Sequence, residues 1–220
     1  MSREPSTQRA RAAASAVVVT RGSGLEAILR PEVNVCVWRR ALAPRLRGWL
    51  AQLGARLVHD ASCRLSTPHP ALDALLPSLP EGAEVTAWAA DVAGLLTRFA
   101  GVVGQPSVRA SLATIDTDKC RKFHSDYKRL RLVCTYAGPG TEWLDDHDVE
   151  RAALGRDEGI DAANGRIVRP GARVHRAGAG DVVLLKGELY RGNEGRGAVH
   201  RSPTIEHTRE RRIVLTLDMP

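Results

Sequence analysis

The chain has 220 residues, 43% of them hydrophobic and 26% charged, which is enough to bury one sizeable core without a disulfide scaffold. Its formal charge of +7 rests on arginine scattered along the sequence, with only Lys119, Lys122, Lys128 and Lys186 as lysines. There is no basic run of five and no aromatic interleaving, so nucleic acid is not an expected partner. No stretch approaches the roughly 20 apolar residues of a membrane-spanning helix. Cys36, Cys63, Cys120 and Cys134 lack CxxC spacing, which excludes a zinc knuckle and a redox pair. The expectation is a soluble, cytoplasmic protein with reduced thiols.

Residues 1–30 are small, polar and basic, and "AAASAVVV" is too short for a signal segment, so this part reads as a disordered lead-in. Residues 31–220 read as a single domain. "EVNVCVW" alternates Val33, Val35 and Val37 against Asn34, Cys36 and Trp38, which predicts a short strand. "ALAPRLRGWLAQLGARLVHD" spaces Leu46, Trp49, Leu50, Leu53 and Leu57 as one face of a helix. "STPHP" interrupts the pattern, and "GAEVTAWAADVAGLLTRFAGVVG" predicts a second helix with Val85, Trp88, Val92, Leu95, Leu96 and Phe99 on one stripe.

Beyond Pro106 the sequence changes to short β-type runs, "SVRASLATIDTD", "LRLVCTY", "GDVVLLKG", "GAVH" and "RRIVLTLD", separated by Gly, Pro, Asn and Asp. "DVERAALGRDEG" is read as one short helix, followed by a turn-strand-turn at "NGRIVRPG". The predicted architecture is α+β, with a mainly helical layer over residues 31–104 packed on antiparallel β-structure over residues 105–220.

The chemistry is expected in that second half. On a strand, His124 and Asp126 share a face about 7 Å apart and can converge on one ion, whereas on a helix they diverge by about 200°. His200, in "GRGAVHRSP", supplies a third ligand, and two histidines with one carboxylate form the facial triad suited to non-haem Fe(II). Period-two alternation in "RRIVLTLD" places Arg211 on the face of Ile213, Leu215 and Leu217, and Arg212 on the other. A buried arginine needs a planar acidic partner, which the far carboxylate of a 2-oxo acid would provide. "GPGTEW" reads as a tight turn at Gly138 and Gly140, and "DDHD" as an acidic helix start. His59, His69, His175 and His207 have no partner at diagnostic spacing.

"FHSDYKRLRLVCTYAGPGTEWL", "GDVVLLKGELYRGNEGRGAVHRSP" and "RRIVLTLD" closely resemble a bacterial family known as domain of unknown function 1826, from about "VNVCVW" onward. More distantly, the order His124-x-Asp126, "GDVVLLKG", His200, Arg211 resembles 2-oxoglutarate-dependent oxygenases of the phytanoyl-CoA hydroxylase type, with a Gly-rich insertion, "YRGNEGRG", before the distal histidine. That resemblance implies a double-stranded β-helix (jelly-roll, cupin-like), Fe(II) held by His124, Asp126 and His200, and 2-oxoglutarate anchored by Arg211 with help from Arg212. Members of the first family also resemble proteins encoded beside metallochaperone-type GTPases. This implies an alternative role as a non-catalytic Zn(II)-binding protein in bacterial metal homeostasis.

Overall fold

The computed structural model describes residues 15–118, 120–208 and 210–220. Strand β1 (Ala16–Val19) pairs in parallel with β2 (Val35–Trp38), and a 3-10 helix over Gly22–Leu29 links them. Both β1 and this helix form inside the stretch expected to be a loose lead-in. Leu25 and Ile28 are the reason, because they are buried in the main core and anchor the segment. The rest of that expected lead-in, residues 1–14, lies outside the described residues.

Helix α1 (Pro44–Gly54) begins with proline in its first turn, where a missing N–H costs nothing, and buries Leu46, Leu50 and Leu53. Strand β3 (Asp60–Ser66) follows, and then helix α2 (Ala83–Val103), which stops at Gly104 in the left-handed conformation. Trp88 of α2 meets Trp49 and Tyr136 edge-on, with ring centroids 5.9 and 5.8 Å away. β3 went unread in the sequence because its side chains are mostly polar and half-exposed, as suits the edge of a sheet.

The second half supplies β4 (Ser107–Ile115), β5 (Leu130–Ala137), β6 (Glu142–Trp143), β7 (His175–Arg176), β8 (Val182–Lys186), β9 (His200–Arg201) and β10 (Arg212–Asp218). The fold is mixed α+β. A large seven-stranded sheet runs in the order β1-β2-β8-β5-β10-β4-β3, and a small one in the order β7-β6-β9. Every neighbouring pair except β1 and β2 is antiparallel.

Both faces of the large sheet are covered, so its central strands read as continuous apolar runs rather than alternating ones. On one face Leu132, Cys134, Leu184 and Leu215 join the α1 and α2 side chains in the main core. On the other, Val133, Val183, Leu185 and Val214 form a second cluster with Trp143 and Ala198 of the small-sheet region.

The helix expected over "DVERAALGRDEG" is absent. Short 3-10 turns form at Asp146–Asp148 and Arg151–Ala153, the latter ahead of Gly155 (φ +76°), and helix α3 (Ile160–Ile167) takes in the first half of the stretch expected to be a turn, strand and turn, while Val168 beyond it bridges Val149. The Asn164-Gly165 pair that reads as a turn is helical because Asn164 is held from outside. Its amide donates to the Arg121 carbonyl at 3.1 Å and accepts the Phe123 N–H at 2.8 Å. A tertiary clamp overrides the local preference, and it grips the chain just ahead of His124.

Candidate metal centre

His124 lies outside the named strands yet is extended, forming an antiparallel bridge with His200 on β9. The two residues exchange both backbone hydrogen bonds, each 3.0 Å long. Their rings stand 4.6 Å apart between centroids. Asp126 completes the group, with carboxylate oxygens 3.8 Å from the His124 Nε2 and 3.6 Å from the His200 Nε2. One ligand atom from each of the three lies within 4.8 Å of the others. Ligand atoms bound about 2.1 Å from one ion stand about 3 Å apart, so a small contraction would close the set.

The Nδ1 atoms decide which nitrogens are offered. The His124 Nδ1 is 2.9 Å from the Lys122 carbonyl, and the His200 Nδ1 is 3.0 Å from the Ala198 carbonyl. A carbonyl only accepts, so each Nδ1 carries the proton and donates. In the neutral ring Nε2 then carries the lone pair, the tautomer that metal-binding histidines have when a second group fixes the ring.

The carboxylate is positioned as well. Arg131 donates from Nη1 to Asp126 Oδ2 at 2.7 Å and grips Asp218 with Nε and Nη2 at 2.7 and 2.9 Å. Burial opposes the charge of Arg131, but the bonds to Asp218 and the charge of Asp126 outweigh it and raise its pKa. Neither Arg131 nor Asp218 was singled out from the sequence. The available signal was the alternation in "LRLVCTY", which turns Arg131 away from Leu130 and Leu132.

Gly187 is required beside this group. A Cβ there would stand 2.2 Å from the Lys128 carbonyl oxygen and 2.6 Å from that of Asp126.

Burial pushes the His200 imidazole down to about 4, with His124 adding to the effect and Asp126 opposing it. Because this folded value lies below the ordinary histidine value, the unfolded chain binds more protons between the two. Stability from His200 is therefore complete above about pH 6.5 and is lost as pH falls towards 4. Melting temperatures of the metal-free protein measured across that window are expected to fall on acidification, and to fall less in His200→Gln.

Alternation along β10 holds, but the face that carries Ile213, Leu215 and Leu217 is the helix side. Arg211, expected to point inward with them, is instead half-exposed in an ion pair 3.7 Å from Asp116. Arg212 is the buried one, 2% exposed, on the side of Val214. Its Nε donates to the Pro139 carbonyl at 2.7 Å and its Nη2 to the Thr135 hydroxyl at 3.3 Å. No carboxylate among the described residues pairs with it, and burial pushes its pKa down to about 10 against the attraction of Glu142.

Gly138 (φ +76°) lets the turn pass Arg212. A Cβ there would lie 2.5 Å from the Arg211 carbonyl oxygen and 3.0 Å from the Arg212 Cγ. Gly140 is needed for a different reason, the close approach of the Ala177 carbonyl at 2.3 Å from a built Cβ.

Arg131, Val133 and Thr135 form one row on β5, with Asp126 bound at one end and Arg212 at the other. The row is about 13 Å long at strand spacing. Trp143 is buried and stacks on His175, while Glu142 pairs with Arg176 and Arg201. Neither Cys120 nor Cys134 belongs to the ligand group; Cys134 is fully buried and its thiol is pushed up to about 12 by that burial. Asp145, His147 and Asp148 make a second, more exposed group. Asp145 provides no side-chain cap for the short turn that follows and is paired with His175 at 3.0 Å.

No helix among the described residues is long and apolar enough to cross a membrane. In sequence, no curated protein matches the chain. Among solved structures, it is similar to a dioxygenase for auxin oxidation in rice, with 13% identity over 92% of this chain and 81% of that one and a TM-score of 0.45. It is similar to a bsmA homologue from Methylobium petroleophilum PM1, with 14% identity over 92% and 93% and a TM-score of 0.44. It is also similar to the full-length Neurospora crassa T7H protein in complex with alpha-KG, with 10% identity over 92% and 83% and a TM-score of 0.43. These are distant likenesses of shape, and they give no residue here a role. The sequence model described as Protein of unknown function (DUF1826) matches residues 20–218, almost the whole chain, and the protein belongs to that family.

Proposed function

We propose that the protein is an Fe(II)- and 2-oxoglutarate-dependent oxygenase in which the two facing sheets form a double-stranded β-helix. The observation that carries this reading is the donor set. His124 and His200 both present Nε2, the nitrogen that no backbone carbonyl engages, beside the Asp126 carboxylate, and no thiolate lies in the group. Two imidazoles and a carboxylate on one side of an ion suit non-haem iron. When bound, the metal and 2-oxoglutarate would supply the oxidising chemistry.

The rest of the work falls to the chain. The backbone bridge sets the spacing of the two imidazoles, and Arg131 holds the Asp126 carboxylate toward them. Val133, Val214 and Trp143 keep water from the space between the sheets. Arg212, at the far end of the β5 row, has a guanidinium with no carboxylate partner among the described residues, and would take the distal carboxylate of 2-oxoglutarate.

The test is succinate formation from 2-oxoglutarate with Fe(II) and ascorbate, with wild type active and His124→Ala inactive. Arg212→Lys, which loses the planar fork, is expected to raise the 2-oxoglutarate concentration for half-maximal turnover about tenfold, and Arg211→Lys to leave it unchanged. Tight Zn(II) binding with no succinate in any condition would instead favour a metal-holding protein, the reading that a metallochaperone-type GTPase partner would suit.

A further inference from the structure

We propose that a cavity of about 660 Å³ on the helix side of the large sheet binds a small organic acid, a carboxylate carried on an alkyl or aryl body. It is separate from the metal centre. Leu130 pairs with Lys186 and Arg131 with Leu185, so adjacent residues of β5 and β8 face opposite ways. Arg131 and Leu185 belong to the side of the triad, while Lys186 follows Val182 and Leu184 onto the other.

Lys186 carries the argument. It is 2% exposed, and no carboxylate among the described residues lies within ion-pair reach of it. Its ammonium donates one hydrogen bond, to the Arg30 carbonyl at 2.7 Å, and stands 4.7 Å from the centre of the Tyr190 ring. An ammonium has three donors, and a buried charge with no anion is costly. Burial accordingly pushes the lysine pKa down, the nearby Arg196 adds to this, and Glu32 opposes it.

The other walls fit the same ligand. Arg129 and Arg191 line the cavity, and among the described residues no acidic one does. Leu29 and Leu189, 47% and 46% exposed, are two of the few large apolar side chains left open to solvent, and both border this space. Asn193, 1% exposed, also lines it, with its amide nitrogen donating to the Gly187 carbonyl at 3.3 Å. A volume of several hundred Å³ with apolar walls and a few convergent polar groups is the usual form of a small-molecule site. The apolar lip disfavours inorganic phosphate, and the three cations disfavour a neutral ligand. The "YRGNEGRG" insertion gains a role in this arrangement, because Tyr190, Arg191, Gly192 and Asn193 of that loop form one wall.

The test is calorimetric titration of the full chain with octanoate, octanol and inorganic phosphate. Octanoate is expected to bind at one equivalent, with octanol and phosphate each weaker by about tenfold or more. Lys186→Met is expected to weaken octanoate by a similar factor, while His124→Ala leaves it unchanged. Equal binding of octanoate and octanol, no octanoate binding at millimolar concentration, or full octanoate affinity in Lys186→Met would each overturn the proposal. Should Lys186→Met not fold, Arg191→Glu reverses a charge at an exposed wall position. It is expected to weaken octanoate several-fold, and unchanged affinity there would overturn the assignment equally. Because none of these readouts involves turnover or metal, they fail or succeed independently of the oxygenase reading.

Discussion

His200→Ala is expected to lower divalent-metal affinity by more than about 100-fold, a loss beyond the 10- to 100-fold typical of outer-sphere changes because a ligand itself is removed. His200 is the most buried of the three candidate ligands, with a side chain 8% exposed, and its Nδ1 is already committed to a carbonyl. Deletion leaves His124 and Asp126 as a two-point site that water must complete. Titration with Co(II), followed by its visible absorption, reads the loss directly, and wild-type affinity in the variant would show that the triad is not the site. Melting at pH 7 checks that the fold survives.

Arg131→Met is expected to destabilise the protein by about 3 kcal/mol, because it strands two largely buried carboxylates, Asp126 and Asp218, without their shared cation. Lys128 lies 3.6 Å from Asp218 and would offset part of the cost. For a chain of this size the change corresponds to a fall in melting temperature of about 6–12 °C. Adding metal should recover some of the difference, since an ion on Asp126 replaces part of the lost positive charge. A melting temperature within a degree or two of wild type would show that the arginine is a bystander.

Much of the candidate site was legible in the sequence. Period two brings His124 and Asp126 to one face whenever the chain is extended, and the structure brings His200 beside them. Helices α1 and α2 were equally legible, because their apolar residues recur every three or four positions. What failed had physical causes. The alternation in β10 was correct, yet a strand buried on both sides has two inner faces, and the one that carries Ile213, Leu215 and Leu217 lies against the helices. Hence Arg212 rather than Arg211 is enclosed. The α3 helix contradicts its own Asn-Gly pair because Asn164 is bonded to residues 121 and 123, far away in sequence. β3 was missed since an edge strand needs few apolar residues to hold its place, and β1, apolar throughout, was missed because its run was weighed only as a signal segment.

The paired backbone bonds between His124 and His200 affect more than the distance between two rings. They close a long loop of chain before any ion arrives, so the entropy of bringing the two imidazoles together belongs to folding rather than to coordination. An ion held as proposed would have only side chains left to order, and its loss would not take the fold apart. If the proposed ion is held there, its capture and release would be events of side-chain scale, with the backbone bridge standing as a fixed frame around them.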